Sequence, residues 1–307
     1  MVDLVTVGQL TLDDIVFLND NVKRKVIGGG ALYSAVGARL WNAKAGINSI
    51  TGDIYSKEVI DGISEYEIDV DGIKIIDGHG IELWILHESN KAKQQVPKLC
   101  SKQYTELDPL RGKLPNKYKE VKAFHIAPQS VEGQKAVLND IDSNLDNPII
   151  TLDLQADKFI NISEYKKDFP FDKLTVFMPS REEIQMIWKE SDMKNWLRNT
   201  APSEIPYIVI KMGEDGSLVF NRKKDSIYKI PIYPTANIED TTGAGDSFCG
   251  GLLAGLEKNN NIVDAAIMGT VSASFVVEHL GALNTRIPVQ KEIKERFKYL
   301  KDKVERY

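Results

Sequence analysis

Residues 240–248 have the sequence Asp-Thr-Thr-Gly-Ala-Gly-Asp-Ser-Phe, and the apolar residues that follow recur at helical spacing. Gly243, Ala244 and Gly245 place small side chains at the point where a loop turns into a helix. Backbone N–H groups are uncovered there and lie at the positive end of the helix dipole, so an anion can approach closely. The stretch therefore predicts an anion-binding helix start.

Asp246 lies in the first turn of this helix, where an ionised carboxylate is favoured and can accept a proton from an attacking hydroxyl. Phosphoryl transfer asks little more of a protein than a positioned base, stabilisation of charge and a metal ion. The alternative is a plain helix cap built from Asp240, Thr241 and Thr242, with glycines that serve only the turn. That alternative leaves Asp246 without a purpose, so the pattern favours a small-molecule kinase with Asp246 as catalytic base.

Two other glycine-rich phosphate motifs do not fit this stretch. A Walker A loop carries a Lys directly after its glycines, and a dinucleotide-binding fingerprint follows the first strand of its domain. Residues 240–248 have no Lys after their glycines and do not follow the first strand. The early glycines at 28–30 form no GxGxxG turn. A nicotinamide dehydrogenase is therefore not favoured.

Outside this stretch, apolar β-branched runs alternate with helical patterns along most of the chain. The alternation predicts one α/β domain over residues 1–307, with a doubly wound, mainly parallel sheet flanked by helices. The final helix is predicted to dock through an apolar stripe. Strands are predicted over 4–7, 123–126, 149–154, 176–178, 207–212 and 217–220, helices over 31–41, 182–189 and 262–277, and the stripe contains Val289, Ile293, Phe297, Leu300 and Val304.

Residues 80–107 break the alternation, because their apolar runs are separated by a polar tract and by no helix. Together with residues 11–26, they predict a small antiparallel β lid over one end of the sheet, of the kind that excludes water from phosphoryl transfer. The alternative is a surface hairpin without a catalytic role. A homodimer formed through the lid is a further open expectation.

Composition limits the classes of partner. With 42% hydrophobic and 27% charged residues the chain falls in the ordinary globular range. A net charge of −5 without a long Lys/Arg block argues against nucleic acid. No apolar run reaches the roughly 18 residues that a membrane span needs. Cys100 and Cys249 form no CxxC pair, which favours a reducing cytoplasm over a disulfide or zinc framework.

Residues 240–251, DTTGAGDSFCGG, resemble the C-terminal signature of the ribokinase/PfkB carbohydrate kinase family, for which this motif is specific. Residues 28–35, GGGALYSA, look like the double-glycine substrate motif of the same family, and Gly52-Asp53 resembles the Gly-Asp that follows it. The resemblance implies a ribokinase-like fold, a small-molecule substrate, ATP as phosphoryl donor and Mg²⁺ as cofactor. Members of the family phosphorylate sugars, nucleosides, inositol and some vitamins.

The resemblance also implies residues on the substrate side. An Asp five positions after the Gly that ends the first strand binds substrate hydroxyls in the family, and Gly8 and Asp13 match these places, with Asp14 as the competitor. Gly28 and Gly29 let a substrate approach the main chain. Tyr33 stands where the family commonly has Asn, so it could offer a phenolic hydroxyl or an aromatic wall.

Two further motifs lie at predicted strand ends, where ligands collect in doubly wound sheets. Asp153 belongs to an Asp-x-Gln similar to that of the inositol kinase-like branch, which makes it a substrate ligand by resemblance. Residues 180–183 resemble the family's Asn-x-x-Glu motif with Ser180 in place of Asn, and Glu183 would help to hold Mg²⁺ through water. The alternative for Glu183 is an ordinary acidic residue at a helix start.

On the nucleotide side, Lys211 follows a strand and could neutralise phosphate charge, while Gly213 and Gly216 could bring main chain close to ATP. A plain glycine turn is the alternative. In some members a monovalent cation lies beside the anion hole, and Asp240 and Thr242 match part of that site. The other ligands, near residue 281, are not assigned, so activation by K⁺ stays open.

The predicted function is an ATP-dependent phosphotransferase with an alcohol acceptor. The run GGGALYSA resembles archaeal-type inositol kinase-like members, so myo-inositol or a related polyol is the first expected acceptor. The alternatives are a nucleoside or hexose kinase of the same family, and a ligand-binding protein that keeps the fold without turnover.

Overall fold

The structure, a computed structural model, describes residues 1–19, 21–88, 93–155, 163–259 and 261–307. Its strands are β1 (Leu4–Val7), β2 (Thr11–Val16), β3 (Val22–Gly28), β4 (Ala45–Gly52), β5 (Asp69–Ile76), β6 (Ile81–His87), β7 (Lys93–Pro97), β8 (Ala123–Ile126), β9 (Ile149–Leu152), β10 (Val176–Phe177), β11 (Tyr207–Lys211), β12 (Ser217–Asn221), β13 (Ser226–Ile230) and β14 (Glu305–Arg306). Its α-helices are α1 (Gly30–Arg39), α2 (Ser56–Glu65), α3 (Tyr104–Leu107), α4 (Val131–Asn144), α5 (Glu164–Lys167), α6 (Arg181–Trp188), α7 (Met193–Asn199), α8 (Ala244–Asn259), α9 (Ile262–Val276) and α10 (Gln290–Lys301).

A ten-stranded sheet forms the body of the protein, in the order β14-β13-β12-β11-β10-β9-β8-β1-β4-β5. The strands from β5 to β11 in this order pair in parallel, whereas β12, β13 and β14 add an antiparallel edge. The predicted fold class, a mainly parallel sheet flanked by helices with a small β lid, is confirmed.

Helices cover both faces of this sheet, and the apolar side chains alternate between the faces along each strand. In β11, Ile208 and Ile210 contribute to one core beneath α4, α6 and α7, while Val209 contributes to a second core beneath α8, α9 and α10. In β1, Val5 and Val7 face the first core and Leu4 faces a third that includes α1 and α2. The predicted runs are thus fully buried strands, as parallel sheets require.

Helices α1 and α8 cross with their backbones almost touching. A Cβ atom on Gly37 would overlap the carbonyl of Ser247, and one on Gly250 would overlap the carbonyl of Ser34. Only glycine permits this approach at both points. The crossing places the start of α1, after Gly29, beside the start of α8, after Gly243.

The predicted lid is a separate four-stranded sheet in the order β3-β2-β6-β7. Its outer pairs are antiparallel, but the central pair β2 and β6 is parallel, so the lid is a mixed sheet and not a purely antiparallel one. Residues 98–107 leave the sheet, since a turn and the short helix α3 follow β7. Residues 89–92 of the predicted lid lie outside the described residues.

The predicted strands and helices of the main sheet agree with the structure within one or two residues at their ends, whereas the final helix, predicted to include Val304, ends at Lys301. Ile293 and Leu300 of the final stripe are buried, whereas Val289 is 63% exposed, because α10 begins after it. Among helices of the described ranges, none combines the length and the apolar character of a segment that crosses a membrane.

Candidate active site

The start of α8 is open to solvent. Gly243 has a φ of +73°, which turns the chain into the helix, and Ala244 begins α8. Gly245 is exposed, and Gly243 and Ala244 are partly exposed. No described side chain therefore seals the predicted anion-binding end from solvent.

Asp246 lies between the two glycine-rich segments that the sequence singled out. Its Oδ1 atom is 2.9 Å from the position of a Cβ atom added to Gly30, so the carboxylate lies against the start of α1. Burial, together with the negative charge of Asp153, raises the pKa of Asp246 to about 6, although the Lys211 ammonium acts against this rise. The carboxylate is therefore mainly ionised at neutral pH and able to accept a proton.

Lys211 and Asp153 form an ion pair below the start of α8. The Lys211 Nζ atom is 3.7 Å from the position of a Cβ atom on Gly245, which places its charge at the predicted anion hole. Asp153 is 2% exposed, its Oδ1 accepts a hydrogen bond from the Leu154 N–H, and its Oδ2 accepts one from Lys211. Asp153 thus pairs with Lys211, and its role as a substrate ligand stays a prediction. Burial acts to lower the pKa of Lys211, but Asp153 and its other acidic neighbours raise it above its usual range.

The Glu183 carboxylate interacts both with the backbone at the start of α6 and with the charged pair Asp153 and Lys211. It forms a capping box at the start of α6: its carboxylate accepts a hydrogen bond from the Ser180 N–H at 2.6 Å, and its own N–H donates to Ser180 Oγ at 3.2 Å. The same carboxylate is close enough to Asp153 and Lys211 to interact with both charges. Burial and then Asp153 raise the pKa of Glu183 to about 7. Glu183 is therefore a helix-cap residue, as the alternative expected, and it also interacts with the charges of Asp153 and Lys211.

Asp13 and Asp14 lie on opposite sides of β2, because side chains alternate along a strand. Asp13 is 5% exposed; its Oδ2 accepts a hydrogen bond from Thr11 Oγ1 at 3.0 Å, and its Oδ1 is buried without a partner among the described residues. Burial raises the pKa of Asp13 to about 7. A Cβ atom on Gly28 would stand 2.5 Å from Asp13 Oδ2, so any larger residue at position 28 would displace the Asp13 carboxylate.

Asp14, in contrast, is fully engaged by other residues of the lid and its edge. Its Oδ1 accepts a hydrogen bond from the Lys25 N–H at 2.9 Å, and its Oδ2 lies 3.2 Å from Lys98 and 3.4 Å from Arg24. Both oxygens of Asp14 thus have partners. Of the two residues, Asp13 is the one with a carboxylate oxygen that has no hydrogen-bond partner among the described residues.

Tyr33 is buried beneath the site. Its ring lies against Gly243, where a Cβ atom would overlap it. Burial, followed by the charges of Asp240, Asp13 and Asp246, raises the pKa of the Tyr33 hydroxyl above its usual range. The charges of the predicted substrate ligand Asp13 and the predicted base Asp246 thus both act on the Tyr33 hydroxyl.

Gly213 and Gly216 form a tight turn between β11 and β12. Both have positive φ, of +56° and +83°, and a Cβ atom on Gly216 would overlap the carbonyl of Ile230. The Met212 N–H donates to the Gly216 carbonyl at 2.9 Å. These contacts are the ones that a plain glycine turn requires; a role in ATP binding stays a prediction.

Lys93 is a residue of the site that sequence reasoning missed. It begins the lid strand β7, and its ammonium contacts Asp240 Oδ1 and lies 2.7 Å from Thr242 Oγ1. These are the two residues predicted to hold a monovalent cation. In the sequence, Lys93 is one of several lysines in the polar tract of the lid, so no local signal distinguishes it.

Comparisons with known proteins identify the family of this chain. The model of the pfkB family of carbohydrate kinases matches residues 5–289. A cytidine kinase of Thermococcus kodakarensis is 28% identical over 92% of this chain and 98% of its own length. An inositol 3-kinase of Arabidopsis thaliana is 34% identical, over 29% of this chain and 24% of its own length.

Solved structures share the fold. A nucleoside kinase of Burkholderia thailandensis in complex with inosine has a TM-score of 0.80 at 16% identity, with 97% of each chain covered. A proposed Ribokinase II of Escherichia coli in complex with ATP and Mg²⁺ has a TM-score of 0.78 at 15% identity, covering 97% of this chain and 100% of that one. Since the family model spans most of the sequence, the chain belongs to the pfkB family of carbohydrate kinases and is a phosphotransferase that acts on a hydroxyl group of a sugar or nucleoside.

Proposed function

We propose that the protein transfers the γ-phosphoryl group of ATP to a hydroxyl of a nucleoside, with Asp246 as general base. The observation that carries the proposal is the position of Asp246 between the open start of α8 and Gly30 at the start of α1. A base at this point reaches an acceptor held on the α1 side and a phosphate held on the α8 side.

The proposed reaction is a direct displacement. Asp246 accepts the proton of the acceptor hydroxyl, and the oxygen of that hydroxyl forms a bond to the γ-phosphorus. At the same time the bond from the γ-phosphorus to the β,γ-bridging oxygen breaks, and ADP leaves. Backbone amides at Gly243, Ala244 and Gly245 stabilise the charge of the migrating group, because they lie at the positive end of the helix dipole. Lys211 adds a full positive charge below the same amides, and Asp153 holds Lys211 there.

The residues present suit a magnesium–nucleotide complex. Mg²⁺ prefers carboxylate oxygens and water, and it neutralises phosphate charge when bound. Glu183 would hold it through water. The repulsion between Glu183 and Asp153, which contributes to the raised pKa of Glu183, is relieved by a cation nearby. The related Escherichia coli structure contains ATP and Mg²⁺, which supports the same requirement in this chain.

The acceptor is proposed to be a nucleoside because the cytidine kinase matches nearly the whole of both chains, whereas the inositol 3-kinase matches a short part. The free Oδ1 of Asp13 fits a ribose hydroxyl, since a buried carboxylate oxygen without a donor is costly until a ligand supplies one. The ring of myo-inositol offers hydroxyls of the same kind. Inositol, favoured by the run GGGALYSA, therefore stays the second candidate.

A panel assay tests the proposal. Purified protein, ATP and MgCl₂ are incubated with cytidine, uridine, inosine, adenosine, myo-inositol, ribose, fructose and 2-dehydro-3-deoxygluconate, and ADP is quantified by chromatography. We expect ADP release with one or more nucleosides and a phosphorylated product that mass spectrometry detects. Asp246→Asn should lower kcat by about 10²–10⁴-fold while the melting temperature is retained, because the base is lost and the packing is not.

Three outcomes would count against parts of the proposal. Turnover of myo-inositol alone would replace the nucleoside by the polyol. Ligand-induced stabilisation without ADP release would identify a binding protein that keeps the fold. An Asp246→Asn variant with the full rate would remove Asp246 from the role of base.

A further inference from the structure

The lid carries a positive charge into the site through Lys93. Its side chain is 19% exposed, and the Asp240 side chain that it contacts is 1% exposed. Asp240 Oδ1 also accepts hydrogen bonds from the Thr242 N–H at 3.1 Å and from Thr242 Oγ1 at 2.9 Å. Asp240 Oδ2 is buried and has no partner among the described residues. Lys93 is thus the cation that the described structure brings to this buried carboxylate.

A buried carboxylate at this place needs a cation for two reasons. Removal of the partner from a buried ion pair leaves an uncompensated charge, which strongly destabilises a folded protein. In addition, Asp240 immediately precedes the loop that is proposed to receive phosphate, so its unbalanced negative charge would repel the nucleotide. A cation on Asp240 removes both penalties.

The expected monovalent cation and Lys93 share two residues, Asp240 and Thr242. Lys93 Nζ lies against Asp240 Oδ1 and Thr242 Oγ1, so a positive charge already engages these two side-chain atoms. An ammonium group and a K⁺ ion cannot occupy one position together. A K⁺ ion bound to Asp240 Oδ1 and Thr242 Oγ1 would therefore have to displace the Lys93 ammonium.

We propose that Lys93 is a positioning residue that acts as a tethered cation on Asp240 and Thr242, in place of a free monovalent ion. Lys93 belongs to β7, so a strand of the lid supplies the charge that neutralises Asp240. The inference rests on the proposed kinase function for its effect on rate, but the occupancy of the site by Lys93 stands on the contacts alone.

The test compares the wild-type protein with Lys93→Met in ammonium chloride, potassium chloride and tetramethylammonium chloride at equal ionic strength. Methionine keeps most of the length of lysine without its charge. Ammonium can donate hydrogen bonds to the vacated oxygens, K⁺ can contact them, and tetramethylammonium is too large and has no donor. Both the melting temperature and the rate of ADP release are measured, the ADP by chromatography.

We expect the wild-type rate and melting temperature to be the same in all three salts. Lys93→Met should lose roughly tenfold or more in kcat and melt at a lower temperature in tetramethylammonium chloride, and ammonium or K⁺ should restore part of both. A merely structural contact would not respond to the identity of the cation. The matched control is Lys23→Met, which removes an exposed lysine from the lid strand β3 and should equal the wild type in every salt.

Three results would overturn the inference. They are stimulation of the wild-type protein by K⁺ or ammonium, a Lys93→Met variant equal to the wild type, and an impaired Lys93→Met variant that neither cation improves. If the wild-type protein phosphorylates no acceptor in the panel, the proposed kinase function fails. The melting temperatures still decide whether Lys93 occupies the cation site.

Discussion

The ring of Tyr33 lies directly beneath Gly243, so closely that a Cβ atom on residue 243 would overlap it. Gly243 also has a φ of +73°, which side chains rarely permit. Two independent constraints thus require glycine at the point where the loop enters α8. The contact joins the start of α1 to the start of α8, the two segments proposed to hold acceptor and phosphate.

Replacement of Gly243 by alanine should therefore be severe. We expect Gly243→Ala to lower the free energy of unfolding by about 2–4 kcal/mol, from backbone strain and overlap with Tyr33. Urea unfolding measures the effect. Gly245→Ala is the matched control, because its Cβ would meet Lys211 Nζ at 3.7 Å, an ordinary contact distance, and should cost much less stability. Equal losses in the two variants would refute the packing argument.

The activity should depend on pH through Asp246. With a pKa raised to about 6, Asp246 is protonated in acid, so we expect its protonation to lower kcat about tenfold per pH unit below pH 6. Asp13 and Glu183, whose pKa values are raised to about 7, should extend the fall of the rate towards neutral pH. The free energy of unfolding should change in the opposite sense. Because the folded state binds the Asp246 proton more tightly than the unfolded state, the contribution of Asp246 to stability is fully present below pH 3.8, the pKa of the unfolded state. It is lost as the pH rises through about 6. Rate profiles of the wild type and Asp246→Asn provide the test, since the residual rate of the variant should lose the limb near pH 6 and keep the limbs of Asp13 and Glu183.

Lys211 should matter to stability through Asp153 and to the rate through phosphate. We expect Lys211→Met to lower the free energy of unfolding by about 3–5 kcal/mol, because it leaves a buried carboxylate without its partner. The double variant Lys211→Met/Asp153→Asn should regain most of that stability but not the kcat. Urea unfolding and steady-state kinetics separate the two effects. Recovery of the rate in the double variant would mean that Lys211 serves only to pair Asp153.

Glu183 has a capping role and a proposed metal role that substitution can separate. Glu183→Gln retains the atoms that form the capping box, so stability should change little, but we expect the Mg²⁺ concentration for half-maximal rate to rise about tenfold. Ser180→Ala is the complementary variant: it should lose about 1 kcal/mol of stability and keep the Mg²⁺ dependence. The idea fails if the Mg²⁺ titrations of Glu183→Gln and wild type coincide.

Asp13 and Asp14 can be distinguished by their effects on the acceptor. Asp13→Asn should raise the KM of the acceptor about tenfold or more and leave the KM of ATP unchanged, since a hydrogen bond to a charged group is lost. Asp14→Asn disturbs the contacts with Lys98 and Arg24 in the lid and should affect the acceptor KM less. The opposite order of effects would transfer the substrate role to Asp14.

Several features of the site were predictable because they depend on neighbours in the chain. The glycines before Asp246 indicate an open helix start, and the structure shows that start exposed at Gly245. The Ser180 and Glu183 spacing is that of a capping box, which the structure contains. Strand and helix assignments followed from period and β-branched content, and differ from the structure only at element ends.

Other features had no local signal. The parallel pairing of β2 with β6 inside the lid joins segments far apart in the chain, so the alternation within each strand could not reveal it. Gly37 and Gly250 set the closest approach of α1 and α8, and nothing in their local sequence distinguishes them from other helical glycines. Asp153 follows a strand in the sequence, but only the fold brings its oxygens to the Leu154 N–H and to Lys211; its role as a substrate ligand stays a prediction.

The sequence by itself determined the fold class, the family and the helix start that carries Asp246, because these depend on patterns within short stretches of chain. The tertiary structure alone decided which charges meet. Lys93 reaches Asp240 across 147 positions of sequence, and Lys211 reaches Asp153 across 58. Such pairs depend on the order of strands in the sheets and on the path of the lid, and burial gives them strength only once the chain has folded.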